Sequence, residues 1–187
     1  MSVLVAMLLM AEPVELSSVE VKKAIESFKV RGAWIHPAIV QEFLPWLSDH
    51  EHPIVRSMDV AAALETNRYF EETKEGAKGP KVERGEEGFI DYEWIGRTQS
   101  GLHVLVISLN SGGSGIFTSL GAFRLTEAES VDATGKRYRS LMLSIERWVS
   151  LGDRVVPKLI IKMNVVGGRV ECTLPSCTSK PLSLLLE

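Results

Sequence analysis

The chain has little cysteine, no long apolar run and no cluster of like charge, and each shortage removes a class of protein. Cys172 and Cys177 are the only two cysteines. They cannot complete a structural zinc site by themselves. Their spacing, Cys-Thr-Leu-Pro-Ser-Cys, is not the Cys-x-x-Cys of a thioredoxin-type redox pair. A local disulfide between them is compatible with an even count at close spacing, and it would persist only in an oxidising compartment. Closing so small a loop would contribute about 1–2 kcal/mol. The longest apolar run, Val3 to Met10, falls far short of the roughly 20 residues that span a bilayer. No basic run or basic helix face appears, and the net charge is −3 over scattered Lys, Arg, Asp and Glu. That distribution lacks the footprint of a nucleic-acid binder or of a protein held to an anionic membrane. Only four histidines are present, so metal and acid–base chemistry has few places to sit.

What remains is an ordinary globular composition, 45% apolar and 24% charged over 187 residues. A chain of this length can bury about 70% of its unfolded surface and needs no metal or disulfide to fold. The Val3–Met10 run followed by Ala11 matches the length of a signal-peptide h-region and its cleavage site, although no Lys or Arg precedes it. The expectation is a periplasmic or secreted protein, with residues 1–13 as the leader or an N-terminal apolar segment and 14–187 as one domain. A cytoplasmic protein with a buried apolar start is the alternative.

Ser17-Ser18-Val19-Glu20 reads as a capping box. Val21, Ala24, Ile25 and Phe28 then recur at helical spacing, with the helix ending near Gly32. His36-Pro37 opens a second helix, with Pro37 at its first position and an apolar stripe through Ile39, Val40, Phe43 and Leu44. Pro45 ends it. Ser48 to Pro53 is a polar loop. From Ile54 to Phe70 a period-two pattern through Met58, Val60, Ala62 and Leu64 indicates a strand, against the helix propensity of three alanines. Residues 71–87, dense in charge with three glycines and one proline, read as a mobile loop.

Beyond that loop the pattern is sheet. Phe89–Arg97 alternates. Leu102–Leu109 is apolar on both parities, as in a strand covered on both sides. Ile116–Leu125, Tyr138–Val149, Val155–Val165 and Val170–Leu174 follow, separated by turn residues that include Gly167-Gly168. Thr126–Lys136 reads as a polar connection. The fold class is α+β: an antiparallel β meander of six to seven strands, barrel-like or sandwich, covered by two N-terminal helices.

Several residue groups are site candidates, each with a structural counterpart. His50 and His52 flank Glu51 and would face one way if extended, so both imidazoles could reach a metal ion, with His36 or His103 as a distant third ligand. They sit equally well in a solvated loop. Tyr92, Trp94, Tyr138 and Arg139 are the candidate ligand-binding set; with Trp34, Trp46 and Trp148 the aromatics line a pocket or simply build the core. Arg137, Arg139 and Arg147 on one strand, near Arg124, suit an anion or cross-strand pairs with Glu127, Glu129 or Glu171. Asp91 and Glu93, about 7 Å apart on one strand face, suit a carboxylate pair or surface charge. Ser111–Gly115 resembles a phosphate cradle but lacks the Lys of a Walker loop, and Ile116 breaks a Gly-x-Ser-x-Gly elbow. A flexible hairpin explains it.

No motif attaches the chain to a named family, and none calls for a cofactor. The reading these residues support is a non-enzymatic exported β-rich domain that binds a small ligand or a protein partner. The alternatives are a metal-dependent hydrolase built on His50 and His52, with His103 and nearby carboxylates, and a structural subunit that associates through a sheet edge. Oligomeric state is not written in the sequence.

Overall fold

The computed structural model describes residues 15–44, 55–65, 71–153, 164–166, 169–172 and 182–185. Helix α1 (Ser18–Ser27) starts at the expected capping box. The Ser17 hydroxyl accepts from the Glu20 amide at 3.3 Å, and the Glu20 carboxylate accepts from the Ser17 amide at 2.8 Å. Val21, Ala24 and Phe28 are buried. The helix stops earlier than Gly32 because Phe28 takes a left-handed conformation, φ 58°, and its amide donates back to the Ala24 carbonyl. The chain then turns through a small hairpin, β1 (Lys29–Val30) and β2 (Ala33–Trp34). Its two central residues, Arg31 and Gly32, both have positive φ, the geometry that matches the twist of paired strands in a two-residue turn. Gly32 therefore belongs to a hairpin, not to a helix end.

His36 caps α2 (Pro37–Gln41), with Pro37 at the first position as expected. Ile39, Val40 and Phe43 are buried. Pro45, Trp46 and the loop from Ser48 to Pro53 lie outside the described residues.

Two expectations are corrected. The strand through Met58, Val60, Ala62 and Leu64 is only β3 (Ser57–Asp59), and helix α3 (Val60–Glu65) follows at once. Asp59 decides the switch: its carboxylate accepts from the Ala61 amide at 2.9 Å and caps the helix. Behind that cap the alanines and leucine follow their helix propensity, which overrides the period-two pattern. The segment 71–87 is not a mobile loop throughout. It holds β4 (Thr73–Glu75), β5 (Pro80–Glu83) and a 3₁₀ turn at Gly85–Glu87. Pro80 and Val82 are buried at alternate positions, so a minimal apolar face exists. Its charges find one another: Lys74 and Lys81 reach Glu83, and Arg84 donates to Glu71 at 2.8 Å.

The remaining strands are β6 (Phe89–Arg97), β7 (Leu102–Asn110), β8 (Phe117–Val131), β9 (Arg137–Asp153), β10 (Asn164–Val166), β11 (Arg169–Cys172) and β12 (Leu182–Leu185). Strands β3 to β9 form one seven-stranded antiparallel sheet in the order β3-β9-β8-β7-β6-β5-β4, curled into a half-barrel. From β4 to β9 it is a continuous meander, and β3 adds to the far edge beside β9. Strands β10, β11 and β12 form a separate three-stranded antiparallel sheet. The expected six-strand run from Phe89 to Leu174 is thus divided between two sheets. Val166 and Arg169 pair across the Gly167-Gly168 position, which itself lies outside the described residues, as does most of the expected Val155–Val165 strand.

Helices α1, α2 and α3 lie on one face of the large sheet. There Val82, Ile90, Tyr92, Leu105, Ile107, Phe123, Leu125, Leu141 and Leu143 meet Val21, Phe28, Ile39 and Phe43 in the main core. The opposite face carries a second apolar cluster of Leu102, Val104, Val106, Leu120 and Ala122. All nine residues of β7 are buried, as expected of a strand covered on both sides. Strands β8 and β9 continue past the core as a ribbon closed by Asp132–Lys136, where the Asp132 carboxylate accepts from the Thr134 and Lys136 amides. The polar connection expected at Thr126–Lys136 is therefore strand as far as Val131 and a tight turn from Asp132 to Lys136.

Candidate functional site

Tyr92 and Trp94 point from β6 under the β1–β2 hairpin and α1. The Trp34 ring meets Tyr92 edge-on at 6.4 Å and Trp94 at 6.0 Å, and Phe28 meets Tyr92 edge-on at 5.8 Å. The Tyr92 hydroxyl donates to the Ile35 carbonyl at 2.5 Å, and burial pushes that phenol well above its ordinary pKa. These two aromatics are core and fasten the hairpin to the sheet.

His103 completes the same layer. It is fully buried and stacks near Phe28, with ring centroids 5.0 Å apart. Trp94 Nε1 lies 3.2 Å from His103 Nδ1, and His103 Nε2 lies 2.9 Å from the Ile25 carbonyl. An indole N–H only donates and a carbonyl only accepts. Nδ1 must therefore be the bare acceptor, and Nε2 must carry the proton. His36 is held the same way: Nδ1 accepts from the Ala38 amide at 3.1 Å, and Nε2 faces the Glu71 carbonyl at 2.9 Å. Both imidazoles thus have both nitrogens engaged within the fold. The third ligand that a His50–His52 site needs does not come from His36 or His103. His50 and His52 lie outside the described residues, and no group of three metal-donor side chains occurs among those described.

Tyr138 and Arg139 come together elsewhere, in a groove of about 730 Å³ between the start of α1 and the β8–β9 ribbon. Past the last buried leucines, the helix-covered face of the ribbon turns from apolar to charged. Glu129 pairs across the strands with Arg139, and Glu127 with Leu141. The Arg139 guanidinium reaches Glu127 at 2.7 Å, and Arg137 lies 3.7 Å from Glu129. Leu16, Ser17, Glu15 and Glu20 form the opposite wall. The Ser17 amide and hydroxyl, with help from Arg31, hold the Glu20 carboxyl down at about 2. The Tyr138 hydroxyl donates to Asp59 at 2.8 Å. Burial and that carboxylate both raise its pKa. The four aromatic and basic residues expected to share one ligand site therefore divide: two build the core, and two line this groove.

The arginine row divides too. A register shift between Ala122 and Phe123 puts Arg147 opposite Ala122, on the far face of the sheet from Arg137 and Arg139. Arg124 pairs with Glu146 at 3.1 Å. In the Gly-rich turn, Asn110 bonds the Gly112 amide and the Gly113 and Gly115 carbonyls at 2.7–3.0 Å, so its backbone groups serve the hairpin. Cys172 ends β11, while Cys177 lies outside the described residues. Edge strands β3 and β4 are three residues each, and β4 is charged, which opposes edge-to-edge pairing. Among the described residues, the outer side of β9 pairs with β3 at Met142–Ser144, and the Ile145 amide donates to the Arg56 carbonyl at 3.2 Å.

Sequence reasoning missed a second cavity, of about 640 Å³, beside the β4–β5 turn. Its signal was hidden in the segment read as a loop. The comparisons give this geometry no relative: no protein-family model, curated protein or solved structure matches the chain.

Proposed function

We propose that this chain is a non-enzymatic, exported binding domain that takes an extended basic segment of a protein partner in the groove between α1 and the β8–β9 ribbon. The observation that carries the reading is the groove itself, where Tyr138 and Arg139 meet the start of α1. Glu20 and Tyr138 are poor at moving protons near neutral pH. Glu20 is held far into its charged form, Tyr138 far into its neutral form, and Arg139 is paired with Glu127. General acid–base work favours a group whose pKa lies near the working pH. Groups with fixed charge and fixed partners suit recognition instead.

The sign of the partner follows from the lining. Glu15, Glu20, Glu127 and Glu129 outnumber the lining's Arg137 and Arg139 together with Arg31, which pairs with Glu20 at 2.9 Å, and the Glu15 carboxylate has no ion pair among the described residues. An excess of negative charge in a concave site attracts cationic segments and fades with salt. The test is calorimetric titration of the full chain with an alternating Lys-Ser octapeptide. Binding is expected to weaken with added salt and to fall at least tenfold in the double variant Glu15→Lys, Glu129→Lys. Equal binding by that variant, or tighter binding of an alternating Glu-Ser peptide, would sink the proposal.

Export, the other half of the reading, is supported by the Val3–Met10 run and by the spacing of Cys172 and Cys177. Thiol titration of denatured protein from its native source should find no free thiol. Two free thiols would argue for a reducing compartment.

A further inference from the structure

The strand registers align a polar row across the sheet, on the face away from the helices. Lys74 is opposite Lys81, Lys81 opposite Asp91, Asp91 opposite Ser108, and Ser108 opposite Thr118. Directly opposed residues share a face and stand within reach of one another. Beside this row runs the apolar cluster that includes Val104, Val106 and Leu120. The row begins in the cavity of about 640 Å³, which Lys74, Lys81 and Asp91 line, and it continues inward to two hydroxyls with at most 2% exposure.

Three features of this place ask for a ligand. The lysines of the cavity already have partners, Lys78 with Glu93 at 2.8 Å and Lys74 and Lys81 sharing Glu83. Asp91, like Glu75 at the rim, has no ion pair among the described residues, and Asp91 is half-buried. Burial holds its carboxyl above the ordinary range, opposed by the nearby Ser108 hydroxyl and Lys81. The Ser108 hydroxyl, though close to Asp91, makes no hydrogen bond of acceptable geometry. A buried hydroxyl without a partner costs about 1–3 kcal/mol.

The walls are preformed. The Gly76 amide donates to the Gly79 carbonyl at 2.9 Å, the Trp94 amide to the Lys78 carbonyl at 2.7 Å, and the Trp34 indole to the Gly76 carbonyl at 3.2 Å. Gly79 passes so close to β6 that a Cβ there would lie 1.8 Å from the Tyr92 carbonyl oxygen.

We propose that this cavity binds a neutral polyhydroxylated ligand of the sugar class, with a vicinal diol seated on Asp91 and Ser108. Each lysine is already paired, so a strongly charged ligand would have to displace an existing partner. A diol brings what the site lacks: two O–H donors for the two oxygens of the Asp91 carboxylate, and an oxygen to accept from Ser108 and Lys81. The site is separate from the groove at α1, so the two proposals stand or fall independently.

The test is saturation-transfer NMR on the full chain with maltotriose, cellotriose and chitotriose. At least one is expected to bind wild-type protein, at least tenfold more weakly to Asp91→Asn, and more weakly to Ser108→Ala. The free Ser108→Ala protein is expected to melt at the wild-type temperature or above it, since an unbonded buried hydroxyl is removed. No transfer to wild type, equal binding by Asp91→Asn, or a lowered melting temperature for Ser108→Ala would each overturn the proposal.

Discussion

Replacing Phe28 with alanine is expected to lower unfolding stability by about 3–5 kcal/mol, the cost of removing a fully buried aromatic ring and leaving a cavity. The ring sits where three elements meet. It lies edge-on to Tyr92 of β6 at 5.8 Å, 5.0 Å from His103 of β7 and 6.4 Å from Phe123 of β8. Its backbone adds a second signature. At φ 58° a residue with a Cβ pays about 1 kcal/mol that glycine does not. Phe28→Gly should therefore be less damaging than Phe28→Ala, although it removes one more carbon. Chemical denaturation of the three proteins gives the order directly. A glycine variant clearly less stable than the alanine variant would contradict the left-handed helix end.

His103 should make the fold sensitive to mild acid. Burial depresses its pKa from 6.5 to about 4; the hydrogen bond to the Ile25 carbonyl opposes this, and the charge of Arg97 reinforces it. The unfolded chain then binds a proton near pH 6.5, and the folded chain only near pH 4. The stabilisation is complete above about pH 6.5 and is lost progressively as pH falls toward 4. A shift of this size corresponds to about 3 kcal/mol. The structural reason is plain: a proton on Nδ1 would leave the Trp94 N–H facing another donor. His103→Gln keeps one donor and one acceptor but does not titrate. Its stability should fall less steeply between pH 6.5 and 4 than that of wild type. Parallel stability curves for the two proteins would refute the assignment.

How much of this was legible in the sequence depends on whether a local rule acted alone. Ser17 and Glu20 announced α1, and Leu102–Leu109 announced a strand buried on both sides, because capping and burial patterns need no distant partner. The Ile54–Phe70 segment was misread as strand because the helix cap at Asp59 competes with a period-two run that spans the same residues. The 71–87 segment was misread because its charges looked solvated, whereas Lys74 pairs with Glu83 across two strands, Lys81 pairs with Glu83 along its own strand, and Arg84 pairs with Glu71 thirteen residues away. The groove was half visible. Tyr138 and Arg139 were singled out, but Glu15 and Glu20 reach them from more than a hundred residues away. Tyr92 and Trp94 carried the right chemistry for a pocket and were drawn into the core by Trp34 and Phe28. The Lys74-to-Thr118 row is a property of strand register alone, and no single segment contains it.

The central claim is that His103 of β7 ties the sheet to α1 through Trp94 and the Ile25 carbonyl. The most direct check is the protonation state of the His103 ring, read from two-bond ¹⁵N–¹H correlations in labelled protein at neutral pH. The account predicts a neutral ring with the proton on Nε2 and a bare Nδ1. A ring protonated on Nδ1, or an imidazolium, would contradict it.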